Sequence, residues 1–231
     1  MPSVIDEEFG HITLRRSAKA SHVRIRVAPD GRLRASLPLY APTFLVKRLI
    51  KTSRAQLRAM LAEQTADVSF EHGMQIGKSH TLITRRTTAE KPSVQRHGQQ
   101  ILVSLPEGKE LDDPAVTRLI RDTVIEALRV EAKSYLTRRL AYLGNQGGFT
   151  YEKVRFSHAS GRWGSCSSSG TISLNIALMK LPFELIDYVL VHELSHTVHM
   201  NHSQEFWELV ESNDPHYKQH RRSLKKETPS I

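Results

Sequence analysis

The chain has 231 residues, 39% hydrophobic and 25% charged, with a formal net charge of +9. That length and apolar content suit one large domain or two small lobes. No run of about 18 apolar residues occurs, which excludes a membrane-spanning helix. The opening MPSVIDEEFGHITLRR lacks an apolar signal-peptide stretch, and a lone Cys166 excludes an internal disulfide or a cysteine zinc ribbon; the expected location is the cytoplasm.

Residues 11–38 read as strands. Val23, Ile25 and Val27 alternate with Arg24 and Arg26, Asp30-Gly31 marks a hairpin turn, and Leu33, Ala35 and Leu37 continue the alternation. Pro42 opens a helical stretch to about Gln64, with Phe44, Leu45, Leu49, Leu57 and Leu61 as core contacts. Between His11 and Arg58 there are twelve Lys/Arg and one acid, Asp30, and the tail adds Lys218, Arg221, Arg222, Lys225 and Lys226. This asymmetry fits either weak nucleic-acid contact or a solvated basic face.

Residues 70–105 return to short strands, the clearest carrying Ile101, Val103 and Leu105. Asp112 and Asp113, followed by Pro114, start a helix to about Tyr142 with Val116, Leu119, Ile120, Val124, Leu128, Tyr135 and Leu136 inward. Residues 152–157 and 171–179 read as further strands. No internal repeat is visible. The expected class is α+β: an N-terminal mainly β lobe with one helix, 1–110, packed on a C-terminal metal-binding lobe, 111–231, across a soft boundary.

The stretch HELSHTVHMNH, residues 192–202, carries the chemistry. His192 and His196 are four apart on a helix prepared by Pro182, Glu184, Asp187 and the apolar Leu185, Ile186, Val189, Leu190 and Leu194. Such a pair projects from one helical face and can share a zinc ion, while the Glu193 carboxylate can reach an activated water. On a continued helix His202 would point away, so the chain must turn. Asn201 in a left-handed conformation is the expected stop, and Ser203 the cap of a new helix bearing Phe206, Trp207, Leu209 and Val210. Three protein ligands plus an open position is the pattern of a catalytic zinc site. His199 has no assigned role and is expected to be exposed.

In GRWGSCS, Gly161 and Gly164 permit close backbone approach. Trp163 and Cys166 are expected as packing residues in a structural loop. Arg162, His158 and Tyr217 are candidates to line the cleft or stabilise an oxyanion.

The ordered set RWGSCS, SLN, a proline-started helix, HELSH and NHSQEFW resembles the YgjP-like metallopeptidases, relatives of SprT-like and WLM zinc proteases. The resemblance spans nearly the whole chain, with its specific motifs between Arg162 and Trp207. It implies a zincin-like core with one Zn2+ on His192, His196 and His202, and Glu193 as the catalytic residue acting on a peptide or protein substrate. By analogy with other zincins, the 171–179 strand would pair with an extended substrate. The likeness to SprT-like and WLM proteases also raises DNA-associated proteolysis. The expected function is therefore zinc-dependent peptide hydrolysis with Glu193 as general base; the alternatives are a nucleic-acid-associated protein with DNA-dependent proteolysis, a mainly structural zinc, or hydrolysis of a non-peptide amide.

Overall fold

The computed structural model describes residues 2–28, 31–66, 69–159, 161–229 and 231, the side chains of 62–66 excepted. It forms two compact units, Met1–Ser69 and Phe70–Ile231. Among the described residues no helix is long and apolar enough to cross a membrane.

In the first unit, β1 (Ser3–Asp6), β2 (Gly10–Arg16), β3 (Arg24–Val27) and β4 (Leu33–Leu37) precede α1 (Phe44–Thr52) and α2 (Arg54–Ala66). The sheet order is β1-β2-β4-β3, with β2 and β4 parallel and the other pairs antiparallel. Strand alternation turns Ile12, Leu14, Leu33, Ala35 and Leu37 to one face, where they join Val46, Ile50 and Leu57 of the helices in a single core. The helical stretch expected as one is broken at Ser53, and its inward stripe begins at Val46 and Ile50, leaving Phe44 exposed. Val46 and Ile50 are one turn apart, which gives the buried face its phase. Arg54 of α2 pairs with Asp6 and Glu8 at 2.9 and 2.6 Å, and Arg58 also pairs with Glu8. Of the expected Asp30-Gly31 turn, Asp30 lies outside the described residues; Gly31 has φ +71°.

The second unit contains β5 (Gln75–Ile76), β6 (His80–Arg86), β7 (Ser93–His97), β8 (Gln100–Leu105), α3 (Pro114–Gly147), β9 (Lys153–Ser157), β10 (Gly164–Cys166), β11 (Thr171–Asn175), a 3-10 turn (Ile176–Lys180), α4 (Phe183–Ser195), α5 (Gln204–Asn213) and α6 (Tyr217–Leu224). The boundary expected near 110 falls inside this unit because β7 and β8 pack on α3. Helix α3 runs past Tyr142 to Gly147 and stops at Gly148, whose φ of +68° suits glycine. Leu119, expected inward, is exposed. The turn between β5 and β6 wraps a carboxylate of α3: the N–H groups of Lys78 and Ser79 donate to Glu131 at 2.7 and 2.9 Å, the Ser79 hydroxyl donates at 2.7 Å, and His80 Nδ1 lies at 2.6 Å. Burial would raise the Glu131 pKa, but these donors hold it below the usual carboxylate range.

The two four-stranded sheets have one topology, contrary to the expectation of no internal repeat. The second sheet is ordered β5-β6-β8-β7, again with its middle pair parallel. Arg16 pairs with Leu37 as Arg86 pairs with Leu105, and Arg15 with Ser36 as Arg85 with Ser104. The N–H of Ser17 donates to Leu37 O at 3.0 Å, as that of Thr87 does to Leu105 O. Arg16 Nη1 reaches the Ala41 carbonyl at 2.8 Å, as Arg86 Nη1 reaches that of Lys109 at 2.7 Å. The repeat is faint in sequence, confined to an Arg-Arg pair and a Ser-Leu-Pro, because a strand needs only alternating polarity and many residues satisfy it.

Candidate active site

Helix α4 begins after Pro182, whose carbonyl accepts from Leu185 and Ile186 N–H groups. Its expected apolar stripe is buried, and Asp187 pairs with Arg139 of α3 at 2.7 Å. His192 and Glu193 occupy its last turn, and His196 follows as the C-cap with φ −68°, ψ −15°. The chain then reverses without a left-handed Asn201: among the described residues, positive φ occurs only at glycines. Right-handed turns do the work, with N–H groups of Thr197 and His199 donating to Leu194 O and Ser195 O at 2.9 Å each. Ser203 caps α5 as expected, accepting from Phe206 N–H.

This reversal brings His202 to the other two imidazoles. One ligand atom from each of the three lies within 4.8 Å of the others, and His192 Nε2 is 3.2 Å from His202 Nε2. Two nitrogens held roughly 2.0–2.1 Å from one tetrahedral zinc would be about 3.3–3.4 Å apart, so the donor set fits zinc. His196 Nδ1 lies 3.1 Å from the His199 carbonyl. A carbonyl only accepts, so Nδ1 carries the proton and Nε2 is left with its lone pair. His199 thus contributes its backbone, and its side chain is half-buried, not exposed.

Aromatic packing orients the rings. Phe206, fully buried, stacks on His196 at 4.5 Å and meets His192 edge-on. Trp207 stacks between His202 and Tyr217, at 5.5 Å from each, and Arg221 lies 4.4 Å over its ring. Burial, aided by the positive charges of His196, His202 and Arg221, lowers the His192 pKa to about 3, so the ring is neutral over the physiological range.

Glu193 is 5% exposed, and its Oε2 has no hydrogen-bond partner. Burial raises its pKa to about 8 against the opposing charge of Arg162. The carboxyl rests against Gly164 on β10, where a Cβ would lie 2.7 Å from Glu193 Cγ. Asn175, wholly buried at the end of β11, holds the loop before β10: its Nδ2 donates to the carbonyls of Ala159 and Arg162, and its Oδ1 accepts from Ala177 N–H. Strand β11 therefore ends at Asn175, short of 179. Both its edges are taken, by β10 and β9, so it offers no free edge to a peptide; the edge strand beside Glu193 is β10.

The other sequence candidates are spread around this centre. Arg162 is exposed and electrostatically coupled to Glu193, His158 is half-buried just after β9, and Tyr217 is buried against Trp207. Trp163 and Cys166 are half-buried rather than core, and burial, with the Glu193 charge, pushes the Cys166 thiol up, away from nucleophile chemistry. Tyr188, one turn before His192, carries no signal in the sequence; burial raises its pKa to about 12.

A family model described as YgjP-like, metallopeptidase domain, matches residues 21–227. No curated protein matches the chain. Among solved structures, the metallopeptidase zymogen of Pyrococcus abyssi abylysin is similar at 29% identity over 39% of this chain and 92% of that one, with a TM-score of 0.36.

Proposed function

Since this chain belongs to the YgjP-like metallopeptidase family, we propose that it hydrolyses peptide bonds as a zinc enzyme, with His192, His196 and His202 as metal ligands and Glu193 as general base. The observation that carries this reading is the pairing of three converged imidazoles with an adjacent, buried, unpartnered carboxyl. A zinc ion there would supply Lewis acidity and bring a water's pKa toward neutrality.

The chain's own groups divide the remaining work. A neutral imidazole binds without first losing a proton, a state that burial enforces at His192. Glu193 removes the proton of the attacking water and delivers it to the leaving amine. A divalent cation held by the imidazoles would favour the ionised carboxyl that this step requires of Glu193. Arg162, His158 and Tyr217 are the candidates to meet the developing oxyanion; the electrostatic coupling of Arg162 to Glu193 supports the first, and the stacking of Tyr217 on Trp207 counts against the last. The outer edge of β10 would take an extended substrate through backbone hydrogen bonds. A purely structural zinc leaves Glu193 without a role, and its orphaned Oε2 would then cost stability for nothing.

The test compares native protein with Glu193→Gln after metal analysis of both, against a proteome-derived peptide library. Both should bind about one zinc per chain, and only the native should cleave. Equal product patterns from the two would defeat the assignment.

A further inference from the structure

Within the first unit, α1 and α2 cover one face of the sheet and leave the other bare. On the bare face, strand pairing sets two rows across β2, β4 and β3: Arg15, Ser36, Arg24 in one, and Thr13, Arg34, Arg26 in the next. Arg15, Arg24, Arg26 and Arg34 are exposed. The paired carboxylates near this sheet, Asp6 and Glu8, are engaged by Arg54 and Arg58 of α2. At the end of the face nearest Arg24, a concavity of about 260 Å³ is lined by Lys19, Ser21, His22, Arg24, Arg26 and Ser36. His22 fixes Arg24 there: the guanidinium donates to its Nε2 at 3.0 Å, so its Nδ1 carries a proton and donates to Ser21 Oγ at 2.9 Å.

The duplicated sheet is an internal control for these charges. At the matching register positions, β7 and β8 carry Ser93 for Arg24, Gln95 for Arg26 and Leu102 for Arg34. The second sheet keeps an arginine only at the position of Arg15, as Arg85, and folds without the other three, so packing does not demand those three. We infer that the bare face of the first unit binds the phosphodiester backbone of a nucleic acid, without reading its bases.

Chemistry favours this occupant over an acidic protein. The cationic groups on the outward strand positions are all arginines, whose planar forks take phosphate oxygens two at a time. Their grid, about 6.8 Å along a strand and 4.8 Å between strands, repeats on the scale of successive phosphates. Among the described residues, no Phe, Tyr or Trp stands on the outward strand positions for base stacking, which leaves the backbone as the contact. The inference rests on the first unit alone and is independent of the peptidase reading.

The experiment uses the full-length, zinc-loaded protein and a fluorescein-labelled mixed-sequence single strand, with anisotropy followed from about 50 to 200 mM salt. Three phosphate contacts, from Arg15, Arg24 and Arg26, predict affinity falling roughly 20- to 40-fold across that range, at about 0.7–0.9 in log slope per contact. The double variant R24S/R26Q, which installs the residues of the second sheet, should lower the slope by roughly 1.4–1.8 with an unchanged thermal melt. The double variant K47Q/K51Q removes equal charge from the helical side and should keep the native slope. Absence of binding at the lowest salt, an unchanged slope in R24S/R26Q, an equal loss in K47Q/K51Q, or equally tight binding of poly-glutamate would each overturn the inference.

Discussion

Gly164 and Glu193 are in such close contact that a Cβ on the glycine would sit 2.7 Å from Glu193 Cγ and 2.8 Å from Cδ. The backbone of β10 is thus the wall against which the proposed base is held. Gly164→Ala should push the carboxyl aside while the three histidines stay in place. A displacement of about 1 Å costs on the order of a hundredfold in rate. Cleavage should fall by at least that much with zinc content unchanged, and a variant as active as native would show that the wall is not needed.

Metal-free protein should have a bell-shaped dependence of stability on pH. The folded pKa of His192 is lowered from 6.5 to about 3, so its contribution is present above 6.5 and is lost as pH falls toward 3. That of Glu193 is raised from 4.5 to about 8, so its contribution is present below 4.5 and is lost as pH rises through 8. The two slopes oppose one another between 4.5 and 6.5. In Glu193→Gln the alkaline loss should vanish. The metal-free variant should then be more stable than native by a few kcal/mol at pH 8, each tenfold change in proton affinity being worth about 1.4 kcal/mol. Chelator-treated samples melted across the pH range check this; parallel curves would contradict it.

Zinc should raise the melting temperature, because a ligand that binds only the folded chain stabilises it by about 4 kcal/mol at a thousand times its Kd. His202 is exposed, so His202→Ala should melt close to native when both are metal-free. It should also lose most of the zinc-induced rise. A full rise in that variant would remove His202 from the ligand set.

Trp207 holds the His202 ring by stacking and is itself backed by Tyr217. Trp207→Ala should weaken zinc binding by roughly 10- to 100-fold, the range for residues that orient ligands. Competition with a chromophoric chelator measures it, and Trp207→Phe should recover part of the loss.

Glu131 and the β5–β6 turn should matter to folding and not to the metal. Glu131→Ala leaves the N–H groups of Lys78 and Ser79, with His80, facing an emptied buried site, a loss of about 3–5 kcal/mol. Gly77→Ala should also destabilise, since Gly77 has φ +64° and a Cβ would meet Leu128 and Glu131. Denaturant melts with zinc affinity measured alongside would separate this role from a catalytic one.

The convergence of His192, His196 and His202 is legible in sequence because helical spacing and a cap-forming Ser203 constrain where the chain can go. The stop before it does not need Asn201, since the reversal uses right-handed turn hydrogen bonds that many sequences can make. The phase of the first helical stretch is hidden for a similar reason: Leu45, Val46, Leu49 and Ile50 offer two adjacent apolar stripes, and only the sheet beneath selects one. Strand β11 reads through to 179 in sequence because Ile176–Met179 is as apolar as a strand, while the side chain of Asn175 turns it into a 3-10 segment. The backbone role of His199 has no signature at all, because any residue would supply the carbonyl.

Helix α3 leans on the second of the two matching sheets, packing on β5, β7 and β8. Having to please a 34-residue helix restricts what that sheet can tolerate. Its twin has two short helices of its own to satisfy, and such lighter obligations leave room for substitutions to accumulate. The first sheet carries Arg24, Arg26 and Arg34 where the second has Ser93, Gln95 and Leu102, on the side where the architecture is the more forgiving.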